Sequence, residues 1–245
     1  FDTSNYFVNH AEYKGPELPK GEWEKAPYSH HNFGGFLGGP IKKDKAHFFI
    51  LYDGVSHKEY ATITSPLVPR QTVDQPTTSH QLLAKLNYQL NEQNLFSFRV
   101  TTSPYDSKNS GVGGLNTLER AVNSKSRGYH LVGSWTFFPS DRTMNEVRLL
   151  FTRYKSESVA VYEDSYTINR PSGNFGKNSS LSQWNYEFKY QIVENLSLFL
   201  GNHSIKLGVE YIYTPSGSYK MTLYLPGQFT FGTDKPFNAN DPTTY

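Results

Sequence analysis

Cysteine is absent from this 245-residue chain. That excludes a disulfide scaffold, a thiolate zinc site and a cysteine nucleophile, and it suits an oxidising compartment such as the periplasm or outer membrane. No run approaches the ~18 consecutive apolar residues of a membrane helix. A transmembrane barrel stays open, because its strands are only about 9–11 residues long and alternate in character. Charge of one sign is also missing: 24 basic and 22 acidic residues give a formal +2 with no basic stripe, so nothing points to nucleic acid. There is no Gly-x-Ser-x-Gly elbow, no His-Glu-x-x-His and no isolated carboxylate pair, so no catalysis and no cofactor are expected. The chain starts at Phe1 without an apolar leader, so the expectation is a processed protein or an internal piece.

What is present in quantity is aromatic. Hydrophobic residues make up 36% of the chain and Phe, Tyr and Trp 16%, so rings supply nearly half the apolar content. Girdles of Tyr, Trp and Phe at two lipid interfaces require this balance. A soluble sugar-binding β-sandwich with exposed aromatics has it too, and composition alone leaves both open.

Period-two alternation is the main pattern. Leu82, Ala84, Leu86, Tyr88 and Leu90 alternate with Leu83, Lys85, Asn87 and Gln89; after a polar turn at 91–94, Phe96, Phe98 and Val100 alternate with Ser97, Arg99 and Thr101. Tyr129, Leu131, Gly133, Trp135 and Phe137 lead through a turn at 139–142 into Val147, Leu149 and Phe151. The longest stretch holds one parity from Trp184 to Leu200, interrupted by Glu194; it turns at 201–203 and returns as Ile205, Leu207, Val209, Tyr211 and Tyr213. That length is roughly three times a usual globular strand and fits a tilted strand that crosses a bilayer and projects beyond it.

The connections alternate as well. Those at 91–94, 139–142 and 201–203 are short, whereas 103–125, 155–183 and 214–227 are long and rich in Gly, Ser, Asn, Asp, Tyr and Pro. Short periplasmic turns and long extracellular loops form the outer-membrane pattern. The expected fold is therefore all-β: an incomplete antiparallel up-and-down transmembrane barrel of about eight or nine strands over 31–245. Residues 1–30 are expected to be an irregular loop region. Segments 31–37 and 46–55 should form a glycine-rich hairpin, 56–78 a further polar loop with Pro66, Pro69 and Pro76, and 228–231 a short strand.

The segment Asn32-Phe33-Gly34-Gly35-Phe36-Leu37-Gly38-Gly39-Pro40-Ile41-Lys42-Lys43-Asp44-Lys45, followed by His47-Phe48-Phe49 and Tyr52-Asp53-Gly54, resembles the early barrel of Oar-like TonB-dependent receptors that carry a carboxypeptidase-regulatory-like domain. Segments 83–98, 145–154 and 195–211 match that family in order. The resemblance implies energy-coupled passage of a large, unidentified ligand across the Gram-negative outer membrane. It also implies a plug domain and further barrel strands elsewhere in the parent chain, a TonB partner reached through the N-terminal part, and outer-membrane lipid around the wall. Transporters of this class close with about 22 strands, so a segment of this size is expected to leave two open edges.

The candidate sites divide by parity. Lys85, Arg99, Glu146, Arg148, Glu187, Lys189, Lys206 and Glu210 fall on the polar parity and are expected to face the lumen. A ladder of opposite charges on adjacent strands is the structural expectation; contact with a plug or substrate is the functional one. Tyr105, Tyr162, Tyr166, Phe175, Tyr219 and Tyr224 lie in the long connections, where an external ligand first touches. The glycines at 34–39 lack the helix that a phosphate-cradling loop needs and fit close backbone approach instead. His30 and His31 are adjacent on a strand and point to opposite faces; with His10 and His47 they read as surface residues, and no metal site is expected. A transmembrane wall should expose Tyr186, Phe188, Leu198, Leu207 and Val209 on its outside, whereas a soluble sandwich should bury them under a second sheet.

Overall fold

The structure is a computed structural model that describes residues 28–178, 182–215, 217–221 and 227–245. It is dominated by one long antiparallel sheet. β1 (Ser29–Lys42), β2 (Ala46–Ile63), β3 (Gln71–Asn91), β4 (Asn94–Thr102), β5 (Tyr105–Ser110), β6 (Val122–Ser140) and β7 (Thr143–Ala160) are followed by β8 (Thr167–Arg170), β9 (Gly173–Gly176), β10 (Gln183–Leu200), β11 (His203–Tyr213), β12 (Tyr219–Met221) and β13 (Gln228–Thr230). The large sheet runs β1-β2-β3-β4-β6-β7-β10-β11, with β5 extending beyond β4 between β3 and β6, and β12 pairing with β10. A three-stranded sheet, β13-β8-β9, stands apart. Among the described residues β1 and β11 are the edges of the large sheet, and every residue of β11 is exposed.

β2, β3, β6, β7 and β10 have 18 to 21 residues each. At ~3.3 Å per residue that is roughly 60–70 Å of strand, against an apolar band about 25 Å tall in a membrane barrel. The strands therefore stand well clear of the band at one end. This corrects the expectation for 56–78. β2 continues to Ile63, β3 begins at Gln71, and only 64–70 connects them. Above the band the two faces no longer divide lipid from water, so pairing persists without hydrophobic alternation. The expected loop at 103–125 likewise contains β5 and the start of β6, and that at 155–183 contains the end of β7 with β8 and β9. The strand boundary at the N-terminal side lies at Ser29, two residues before the expected one; residues 1–27, including His10, fall outside the described residues.

Register sorts the side chains. One row reads Phe48, Leu86, Phe98, Gly133, Leu149, Ile192 and Tyr211, each paired with the next across its strand. The next row reads Ile50, Ala84, Val100, Leu131, Phe151, Tyr190 and Tyr213. Aromatic residues border these rows. Near the short turns Phe96 stacks on Trp135 at 6.2 Å and Trp135 on Phe137 at 5.7 Å. Toward the other end come Tyr52, Tyr129 and Phe188, level with Arg153 of β7, and then the charged Arg127 and Lys155 of the same parity. Leu207 and Val209 are 58% and 72% exposed, and among the described residues no second sheet covers this face. Tyr186, Phe188 and Leu198 are half-buried by their strand neighbours. The sandwich expectation, with these residues under an opposing sheet, is not met.

Two glycines respond differently to a methyl group. At Gly133 a Cβ would lie 3.7 Å from the Phe98 ring, an ordinary contact within an apolar groove of about 460 Å³. At Gly34 it would lie 2.8 Å from the Tyr52 carbonyl oxygen. Gly133→Ala should raise the unfolding free energy by about 0.5–1 kcal/mol, and Gly34→Ala should lower it by about 1–3 kcal/mol. Equilibrium unfolding of the protein from lipid checks both; equal effects would remove the close approach as the reason for Gly34.

Candidate functional site

At the end of the sheet away from the short turns, three connections meet. Thr64 N–H donates to Gly114 O at 2.8 Å and Gly114 N–H to Thr62 O at 2.9 Å; Asn174 N–H donates to Leu115 O at 2.8 Å and Thr117 N–H to Asn174 O at 3.0 Å. Ile63, Val73, Val112 and Ala121 form a small buried core beneath them. Arg120 is buried and ties the knot: Nη2 donates to Ile168 O at 3.0 Å and to the Asn169 side-chain oxygen, and Nη1 to Lys177 O at 3.3 Å. Burial pushes the Arg120 guanidinium below its ordinary pKa, with neighbouring Glu119 acting in the opposite direction.

The small sheet held on this knot has two chemically distinct faces. Phe229, Ile168 and Phe175 are direct partners across β13, β8 and β9, so they share one face. Tyr166, Arg170 and Phe231 have the same parity and extend the row. On the other face Thr167 Oγ1 donates to Lys177 O at 2.7 Å and Asn169 Nδ2 to Thr230 Oγ1 at 3.3 Å. The aromatic face lines an open cavity of about 880 Å³ to which Phe237 and Tyr245 also contribute, a volume that suits a drug-sized ligand. Tyr166 meets Phe229 edge-on at 5.4 Å, and Phe237 lies 5.9 Å from both Phe231 and Tyr245. Tyr166, Phe229, Phe237 and Tyr245 are each about half exposed.

Two charged groups interrupt the aromatic wall. Arg170 lies over the Phe231 ring at 4.5 Å, a cation–π contact, and its Nη1 donates to Thr233 O at 2.9 Å and Lys235 O at 2.6 Å. Glu119 accepts from Gly176 N–H through Oε2 at 2.5 Å. The site is thus strongly apolar, close to neutral, and equipped with one cation and one carboxylate.

Of the six loop residues singled out from sequence, Tyr166 and Phe175 lie in this cavity. Tyr105 sits in β5 opposite Ser79 and Ser126 and lines a separate polar recess with Asp53 and His80. Tyr162 is exposed in the bend after β7, and Tyr219 lies on β12, its hydroxyl donating to Gln183 Oε1 at 3.2 Å. Tyr224 lies outside the described residues. Sequence reading missed Glu119, Ile168, Arg170, Phe229, Phe231, Phe237 and Tyr245. The alternation of Tyr166, Ile168 and Arg170, and of Phe229 and Phe231, was the available signal.

The eight charged residues all lie on the face opposite the apolar rows, yet a cross-strand ladder of opposite charges does not form. Lys85 is the direct partner of Arg99, a like-charge juxtaposition. Glu146 and Arg148 pair along one strand at 2.9 Å. Glu210 accepts from Gln191, and Glu187, Lys189 and Lys206 stand opposite Tyr154, Thr152 and Ser197. Pairing by sign would require the register to bring opposite charges level, and here the register brings mostly uncharged partners to them.

The sequence matches the family model described as an outer membrane beta barrel domain over residues 1–75 and 70–244. The chain belongs to this outer membrane beta barrel family. Its fold is also similar to that of the outer membrane transporter YddB from Escherichia coli, with a TM-score of 0.61 at 10% identity. That alignment covers 76% of this chain and 26% of the transporter chain. No curated protein matches the sequence. In an outer-membrane barrel the apolar rows face lipid, their aromatic borders sit at the two interfaces, and the charged face lines the interior. The short turns mark the periplasmic end, which puts the knot around Arg120 and the aromatic cavity on the extracellular side.

Proposed function

We propose that this chain forms part of the barrel wall of a TonB-dependent transporter or receptor that resembles the Oar-like family, moves a large ligand across the outer membrane and performs no catalysis. The observation that carries this reading is the composition of the inward face. Phe36 is 77% exposed there and stacks on Phe49 at 6.0 Å. Leu51 is the direct partner of both Phe36 and Leu83, and Phe49 is the partner of Lys85, which stands beside Arg99. A hydrated pore wall is polar; an apolar cluster rimmed by two cations that meet no carboxylate among the described residues suits a lumen filled by a folded, acidic-edged plug. The edges β1 and β11, unpaired among the described residues, leave room for the additional strands of a wide barrel.

The test uses the full-length parent protein. In planar bilayers the native protein should be silent, and the Lys85→Glu/Arg99→Glu double variant should leak as its plug loosens. In energised cells the parent should crosslink to TonB. A steady open channel in the native protein, or no TonB capture, would sink the transporter reading while leaving the barrel wall intact.

A further inference from the structure

We infer that the extracellular aromatic cavity binds an extended polypeptide segment, which adds to β13 as a new strand and lodges an aromatic or large aliphatic side chain against Phe229 and Phe231. This rests on the proposed function, in which the extracellular end meets the ligand first.

The backbone is the first support. Thr167 N–H donates to Gly227 O and Phe231 N–H to Asn169 O, both at 2.9 Å. Residues 227, 229 and 231 therefore turn their amide groups toward β8. Gln228 and Thr230 turn theirs the other way, and among the described residues no strand meets them. All three residues of β13 are exposed. An open edge of this kind recruits a strand, with main-chain hydrogen bonds giving affinity and side-chain pockets giving selectivity.

The cavity is the second support, and it lies on the same strand. Side chains of an added strand fall beside those of β13 at ordinary cross-strand distance, so one parity of the incoming chain points into the Phe-lined space. Phe237 and Tyr245 add two further rings to the lining of that space. Its composition also bears on the class of ligand. A sugar brings many hydroxyl groups, each costly to bury without a partner, and the polar side-chain groups of the cavity are those of Glu119 and Arg170 and the hydroxyls of Tyr166 and Tyr245, set in an otherwise apolar wall. An apolar side chain needs no such partners, and the spare donors of the Arg170 fork can receive a backbone carbonyl or carboxylate.

The experiment uses the detergent-solubilised full-length parent and fluorescence anisotropy. The probe is a fluorescein-labelled, N-acetylated peptide of alternating Thr and Phe; two further versions are N-methylated on one amide parity each. The parent peptide should bind saturably, and one methylated version should bind about tenfold or more weakly while the other is little changed. Thr230→Pro removes an outward N–H together with the hydroxyl that accepts from Asn169 Nδ2, so it should weaken binding similarly with the backbone ladder to β8 kept, whereas Thr230→Val, which loses only the hydroxyl, should bind as the native protein does. Phe237→Ala lies outside the sheet and should weaken the Phe peptide but not a Thr-Ala version. Unchanged heat-modifiable mobility of all three variants guards against misfolding. Indifference to methylation and to Thr230→Pro and Phe237→Ala, absence of saturable peptide binding, or tighter binding of maltohexaose would each overturn the inference. Binding in detergent needs no TonB, so lost TonB capture with peptide binding intact would strike the transport reading alone.

Discussion

Replacing Ile192 by Arg should cost the assembled barrel about 2–4 kcal/mol, whereas replacing its neighbour Val193 by Arg should cost less than ~1 kcal/mol. Ile192 is 49% exposed in the row between Leu149 and Tyr211, midway up the lipid-facing band. An arginine there must leave water for hydrocarbon. Val193 points inward between Arg148 and Glu210, so the same side chain stays hydrated with an acid on one side and a base on the other. Urea unfolding of the protein from lipid vesicles, together with the fraction of heat-modifiable protein in the outer membrane, reads the difference. Equal losses from the two variants would mean that β10 does not have one lipid face and one aqueous face.

A second large effect is expected at Arg120. Arg120→Met keeps most of the buried volume and removes three charge-assisted hydrogen bonds, to Ile168 O, Lys177 O and the Asn169 side chain. The predicted loss is about 2–4 kcal/mol, confined to the extracellular knot because the lipid band does not touch it. Rapid proteolysis within 161–178, with the barrel still heat-modifiable, is the expected result, and probe binding in the aromatic cavity should fall with it. Arg120→Lys should recover little, since a single ammonium cannot span three acceptors that a planar fork reaches together. If 161–178 stays protected in Arg120→Met, the backbone contacts at Asn174 hold the knot without it.

Strands inside the band were legible residue by residue. Leu82 to Val100, Tyr129 to Phe151 and Trp184 to Tyr213 alternate because each successive side chain meets lipid or water. Legibility ended where that contrast ends. Ser56 to Ile63 and Gln71 to Ser79 pair along their whole length, yet neither face meets lipid there and only Ile63 and Val73 enter the small buried core, so the residues read as loop. β8 and β9 are four residues each, too short for a periodic pattern. Tyr166 and Phe175 stood out as loop aromatics, but their partners Phe229 and Phe237 lie more than fifty residues away in the chain. No local rule joins them.

The sequence by itself determined the class of fold, the membrane it belongs to and the face that each band residue presents. These follow from period two, which is a property of the extended backbone and needs no partner. Which residues stand beside one another was decided only by the tertiary structure. Lys85 meets Arg99 rather than an acid because turn length and strand stagger set the register, and a shift of one residue would send each side chain to the other face. The aromatic cavity needed still more: three connections held together by Thr64, Ser65 and Asn174 as well as buried Arg120, so that short strands from distant parts of the chain could lie edge to edge. Proximity of that kind comes from hydrogen bonds and burial across the fold, not from the order of residues along it.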